Sequence, residues 1–186
     1  REVEGRKLFL LSQNKNKEDN MKTQSFNEIE NLTKEYSMIP ICKEIYADVI
    51  TPIQLLRKME AFDKNFFLLE SVEGGEKWAR YSFLGYEPVL HITCKNGKVT
   101  QKSGEIEHTV TVDPMDALRQ LLHKYKSPKI EGMPTFTGGF VGDFGYEMIG
   151  YAEPKLNIKD SEFDDYNLML FDKVIVYDHL KQKIMV

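Results

Sequence analysis

Residues 89–112 read VLHITCKNGKVTQKSGEIEHTVTV, and the punctuation of this stretch decides the fold. From Val89 the chain alternates, with Leu90, Ile92 and Cys94 on one side, the period of a half-buried strand. It then reaches Asn96-Gly97, the strongest short hairpin signal, because both turn positions need positive φ. Ser103-Gly104 marks a second reversal before Ile106 to Val112. A three-stranded antiparallel meander is expected.

Helix signals flank the meander. Ser25 with Glu28 forms a capping box before Ile29, Leu32 and Tyr36. Thr51-Pro52-Ile53-Gln54 opens a second helix: Thr51 caps, Pro52 suits the first helical position, and Gln54 completes the box. Leu55, Leu56, Met59 and Phe62 follow at helical spacing. Asp113-Pro114-Met115-Asp116 opens a third, with Ala117, Leu118, Leu121, Leu122 and Tyr125 as its apolar stripe. These stripes are expected to be core. Phe66 to Leu69 is a short continuous apolar run, as for a strand buried on both faces.

Past the third helix, Leu168–Leu170 and Val174–Tyr177 read as strand, Asp178 to Gln182 as a turn, and Lys183-Ile184-Met185-Val186 as a returning strand. A final apolar strand without a covering element leaves a sheet edge exposed, which native proteins avoid. On that ground the chain is expected to be cut within a larger protein. Clustered antiparallel strands with helices packed on them argue for an α+β fold. There are no internal repeats. Glycine recurs among aromatics from Thr137 to Glu147, a pattern of close backbone packing or bulged strand.

With 186 residues, 41% hydrophobic and 29% charged, the chain is long and apolar enough for a core of its own. A net charge of −4 offers no electrostatic footprint for nucleic acid. Cys42 and Cys94 form no CxxC or Cys/His cluster and read as buried small hydrophobes in a reducing compartment. No apolar run approaches the roughly 20 residues of a membrane span, and a cytoplasmic location is expected. Residues 1–20 carry the polar tract Lys15 to Asn20 and read as an extension or flexible tail, with Met21 a candidate start.

No catalytic set can be named. His91, His108, His123 and His179 are not spaced for a metal. Glu162 with Asp164-Asp165 reads as a solvated acidic loop rather than a cation cage. The glycines of residues 137–147 fit neither GxGxxG nor GxxxxGK[ST], so phosphate cradling has little support.

Two segments are more specific. Residues 68–85, LLESVEGGEKWARYSFLG, and residues 136–142, FTGGFVG, with Gly145-Tyr146-Glu147 beyond, resemble the N-terminal region of anthranilate synthase component I, in this order and at about this separation. Phe171 to His179 also resembles the strand leading out of that region. The likeness runs from about Tyr36 to Val186 and departs at Asp143, where the family more often has an aromatic residue.

The resemblance implies that residues 21–186 are a regulatory, tryptophan-site domain truncated before the chorismate-binding catalytic domain. Leu69, Glu70 and Ser71 would line the site where L-tryptophan binds and inhibits. A carboxylate such as Glu70 accepts from the ligand ammonium, the Ser71 hydroxyl or amide holds its polar end, and Lys77 or Arg80 meets its carboxylate. By family the whole enzyme converts chorismate and ammonia, or glutamine through the amidotransferase subunit (component II), to anthranilate and pyruvate with Mg2+. The chorismate and magnesium residues would lie beyond Val186, leaving this fragment inactive. The related alternative is component I of aminodeoxychorismate synthase, although Trp78 to Phe83 looks more like the tryptophan-pathway enzyme. A free-standing amino-acid-binding module is the alternative from another class.

Overall fold

The computed structural model describes residues 21–22, 26–47, 49–70, 80–156, 158 and 161–186. Among them the α+β expectation holds, with every strand pairing antiparallel. The meander forms as expected: β5 (Leu90–Lys95), β6 (Lys98–Ser103) and β7 (Ile106–Thr111). Its first turn places Asn96 at φ 51° and Gly97 at φ 72°, the positive values that the Asn-Gly pair supplies at low cost. Beyond the meander, β9 (Tyr166–Phe171) and β8 (Gly139–Phe144) complete a five-stranded sheet in the order β7-β6-β5-β9-β8.

Leu90, Ile92 and Cys94 share one face of β5 and are buried with Val99, Tyr166, Leu168 and Leu170. Ala117, Leu118 and Leu121 of helix α3 (Pro114–Lys124) cover this face. Burying one such aliphatic side chain stabilises the fold by about 1.5–3 kcal/mol. Gly142 on β8 is required by close approach, because a Cβ there would meet Asn167 O at 2.0 Å. The glycine-aromatic segment is thus a strand pressed against its neighbour.

The second sheet runs β1 (Met21–Lys22), β2 (Cys42–Tyr46), β11 (Lys183–Met185), β10 (Val174–Asp178), β4 (Tyr81–Tyr86), β3 (Phe66–Glu70). One face carries Ala47, Tyr177 and Ile184 with Ile50 and Leu55, the last from helix α2 (Pro52–Glu60). The other carries Cys42, Val174, Val176 and Met185 with Phe83, Met133 and Phe136. Two strand pairs pass from sheet to sheet: Gly85 pairs with Val174 in one, and Leu90 with Leu170 in the other. Such corners are made by strands that bend between sheets. At this bend Lys173 Nζ meets Glu87 Oε2 at 2.7 Å.

The structure corrects several expectations. The capping box of Thr51 and Gln54 is present, but α2 ends at Glu60, and Phe62, 82% exposed, is not core. Helix α1 spans Phe26–Leu32 and leaves Tyr36 beyond its end; Ser25 lies outside the described residues. On α3, Leu122 faces solvent at 62% exposure. Phe66 to Leu69 is not buried on both faces: Phe66, Phe67 and Leu68 are half-buried, Leu69 is exposed, and among the described residues the strand lies at the sheet edge beside β4. The final strand is no open edge either: β11 pairs with both β10 and β2. The exposed-edge argument for a cut chain therefore fails. A short 3-10 turn (Tyr146–Met148) continues into helix α4 (Ile149–Ala152).

Candidate functional site

Strand β3 presents Leu69 and Glu70 at its C-terminal end, where both are exposed. Register places Glu70 opposite Ser82 on β4, and Ser82 opposite Tyr177 on β10. Ser82 is buried completely, at 0% exposure. Its Oγ lies 3.0 Å from Glu70 Oε1 and 2.7 Å from His179 Nε2. His179 follows β10 directly. Its backbone N–H donates to Arg80 O at 2.9 Å, and its ring stands 4.8 Å from that of Tyr177.

Arg80, just before β4, reaches across to Asp178. Nη2 donates to Oδ2 at 2.7 Å, while Nε lies 3.2 Å from both carboxylate oxygens. Asp178 is only 2% exposed and also accepts the backbone N–H groups of Leu180 and Lys181 at 3.0 Å. Burial alone would raise its carboxyl, but the Arg80 guanidinium and the Lys181 and Leu180 amides outweigh that and hold it below the ordinary carboxylate value. Arg80 also lies 4.8 Å over the Tyr81 ring.

Of the anticipated site residues, the structure brings Glu70 and Arg80 to one end of the six-stranded sheet, with Leu69 on the same strand. Ser71 and Lys77 lie outside the described residues. Ser82, Asp178 and His179 were not anticipated as part of the site. The available signal was the abrupt change from apolar Val174–Tyr177 to Asp178-His179.

Glu70, Ser82 and His179 contain the residue types of a hydrolytic triad but not its order. The serine sits between acid and imidazole and is buried, whereas nucleophilic chemistry needs the imidazole between them and an accessible hydroxyl. Among the described residues no group of three or more His, Cys, Asp or Glu is placed to hold a metal. The described groups at this end of the sheet are arranged to accept and orient hydrogen bonds, and among them no accessible nucleophile is paired with a base.

Two further polar features lie elsewhere. The supposed solvated acidic loop buries Asp165 at 2% exposure. Tyr151 Oη donates to its Oδ2 at 2.8 Å, and Cys94 Sγ lies 3.5 Å from the same oxygen. Glu162 is exposed as expected and Asp164 half-buried; Asp165 alone is closed off, by Tyr151 and the end of β5. Burial, then the bond to Asp165, pushes the Cys94 thiol up to about 12. A cavity of about 380 Å³ opens near Met38, Cys42, Phe136, Phe171, Val174 and Met185, away from Glu70.

The fold defines a class: a two-sheet antiparallel α+β unit, with no catalytic set among its described residues. By sequence the chain is similar to part of anthranilate synthase component 1. It is 39% identical to that protein of Acetivibrio thermocellus over 86% of this chain and 33% of the relative. Against the Aquifex aeolicus protein the values are 33% identity, 87% and 33%, and against the Pseudomonas aeruginosa protein 37%, 80% and 31%. The chain thus spans about a third of the length of these curated relatives. Component I from Streptococcus pneumoniae, a solved structure, is 31% identical over 75% of this chain and 30% of its own, with a TM-score of 0.47. No family model matches the chain. No helix among the described residues is long and apolar enough to cross a membrane.

Proposed function

We propose that residues 21–186 form the N-terminal, tryptophan-sensing portion of anthranilate synthase component 1, with residues 1–20 as an extension. The observation that carries this is the kinship over 80–87% of the chain, joined to an exposed acidic acceptor, Glu70, at the end of β3. The whole enzyme, on this reading, is cytoplasmic and makes anthranilate and pyruvate from chorismate. It uses ammonia, or glutamine through an amidotransferase partner, and Mg2+ held outside this chain.

L-Tryptophan is read as seated by Leu69, Glu70 and Ser71. Glu70 accepts from the ammonium group, and a cation answers the carboxylate. Arg80 gives Nε and Nη2 to Asp178, so a contact from it to the carboxylate falls to Nη1, with Lys77 as the other candidate cation. Tryptophan between this portion and the catalytic domain favours an inactive arrangement. Such coupling is typically worth about 1–3 kcal/mol and is reciprocal, so chorismate opposes tryptophan.

An indole buries roughly 150–250 Å², an upper bound of about 4–6 kcal/mol at ~25 cal/mol/Å². Losing half of that with the catalytic domain costs about 2–3 kcal/mol, or roughly 30- to 150-fold in affinity. The isolated 186-residue chain is therefore expected to bind tryptophan weakly and to form no anthranilate. Calorimetric titration of the chain, beside an anthranilate assay of the full-length protein with increasing tryptophan, tests both statements. Micromolar binding by the chain alone defeats the shared-site reading. A full-length Glu70→Ala enzyme still inhibited like the wild type defeats the assignment of Glu70.

A further inference from the structure

We propose that His179 is a positioning residue for Glu70, acting through the Ser82 hydroxyl, and that this relay holds the Glu70 carboxylate as the acceptor for a ligand's ammonium group. What the carboxylate receives rests on the tryptophan reading above; the relay itself does not.

The argument is one of donors and acceptors. A serine hydroxyl has one O–H to give and lone pairs to receive, and an ionised carboxylate can only accept. Ser82 Oγ stands within hydrogen-bond distance of both Glu70 Oε1, at 3.0 Å, and His179 Nε2, at 2.7 Å. The hydroxyl therefore donates to Glu70, and it must accept from His179. That fixes the imidazole as the tautomer, or the cation, carrying a proton on Nε2. With the opposite tautomer the hydroxyl would donate to Nε2, and Glu70 would lose the donor that β4 supplies through Ser82.

His179 is placed to impose this order. Its amide is tied to Arg80 O at 2.9 Å, its carbonyl accepts from Gln182 Nε2 at 2.7 Å, and its ring rests on Tyr177. Arg80 and Asp178, in their mutual fork, are the charged pair beside it. Ser82 is buried and cannot exchange its partner for bulk water. Glu70, by contrast, is exposed at a strand end, where a carboxylate otherwise samples several rotamers. Pinning Oε1 leaves Oε2 as the oxygen presented outward. Pre-organising an acceptor in this way removes part of the entropy cost of binding.

Two measurements test the relay. Ring-nitrogen NMR of the 15N-labelled chain is expected to show His179 protonated at Nε2, and a mixture of tautomers in Glu70→Ala. A neutral Nδ1–H ring in the wild type overturns the proposal. In the full-length protein, Ser82→Ala and His179→Phe are each expected to weaken tryptophan binding by roughly tenfold or more, the scale of a charge-assisted hydrogen bond. His179→Gln, whose amide N–H can donate from nearly the same place, is expected to restore most of it. Ser82→Ala changes little volume and so stands in should His179→Phe fail to fold. Binding by Ser82→Ala equal to the wild type overturns the relay. A wild type that binds no tryptophan while keeping the Nε2 proton defeats the tryptophan reading and leaves the relay standing.

Discussion

Each sheet buries one aspartate to the same 2% exposure, and the two are compensated differently. Asp178, in the six-stranded sheet, faces a guanidinium and two backbone N–H groups. Asp165, beside the five-stranded sheet, faces a phenol and a thiol, both neutral. A buried charge is costly unless paired, and removing one partner of a buried pair costs more than the pair contributes. Asp178 is thus the electrostatic keystone of the end that carries Glu70 and His179. Asp165 instead ties Tyr151 to the end of β5.

The sharpest way to break this contrast is Arg80→Ala. A fully buried pair costs about 3–5 kcal/mol to break. Arg80 keeps 27% exposure, so we expect less than that, about 2–3 kcal/mol by urea denaturation at neutral pH. The sign with pH follows from the lowered Asp178 carboxyl. Its stabilising contribution is complete above the unfolded value, near 4, and disappears as pH falls through the folded one. Without Arg80, burial dominates and favours the neutral acid. The gap between variant and wild type should then narrow below about pH 4. A gap that stays constant down to pH 2 means that Asp178 is not the partner that matters.

Tyr151→Phe sharpens the other side. It removes the phenol donor from Asp165 and should cost about 1–3 kcal/mol, with no dependence on Arg80. Additivity of the two substitutions is the measurement, because distant independent sites add. Coupling well beyond 0.5 kcal/mol would merge the two regions into one network.

How far these regions can be read from sequence differs for a physical reason. The meander is local: Asn96-Gly97 and the Leu90, Ile92, Cys94 alternation decide it within a few residues. Glu70 was singled out only through its neighbours in the quoted motif. The partners that give it geometry are not local, since Ser82 and His179 are 97 residues apart and Arg80 and Asp178 are 98 apart. No periodicity reports such a pairing. Phe62 and Leu122 failed for a related reason: helical spacing marks a face, but only tertiary packing decides whether anything covers it. Asp165 failed because composition favours solvated acids, and only the fold supplies Tyr151 and Cys94.

A gentler probe of the same region is thiol chemistry. The Cys94 thiol, pushed up to about 12 by burial and by Asp165, holds almost no thiolate at neutral pH. In a Cys42→Ala background, labelling by a disulfide reagent should follow global unfolding rather than a faster local opening. Labelling that outpaces unfolding would show that the Asp165 latch opens by itself.

The smallest effect is expected where the two sheets meet. Lys173 and Glu87 face each other at 2.7 Å across the bend, yet both are about half exposed. Pairs of this kind contribute little, because water already screens the charges and holding two long side chains costs entropy. Lys173→Gln should leave the denaturation midpoint unchanged within error, in low salt and high salt alike. The bend is held by the strands themselves, through Gly85 opposite Val174 and Leu90 opposite Leu170, with Val89 N–H donating to Leu170 O at 2.9 Å. A clear, salt-sensitive loss of stability in Lys173→Gln would instead make the ion pair the clasp between the two aspartate regions, and the contrast drawn between them would have to include it.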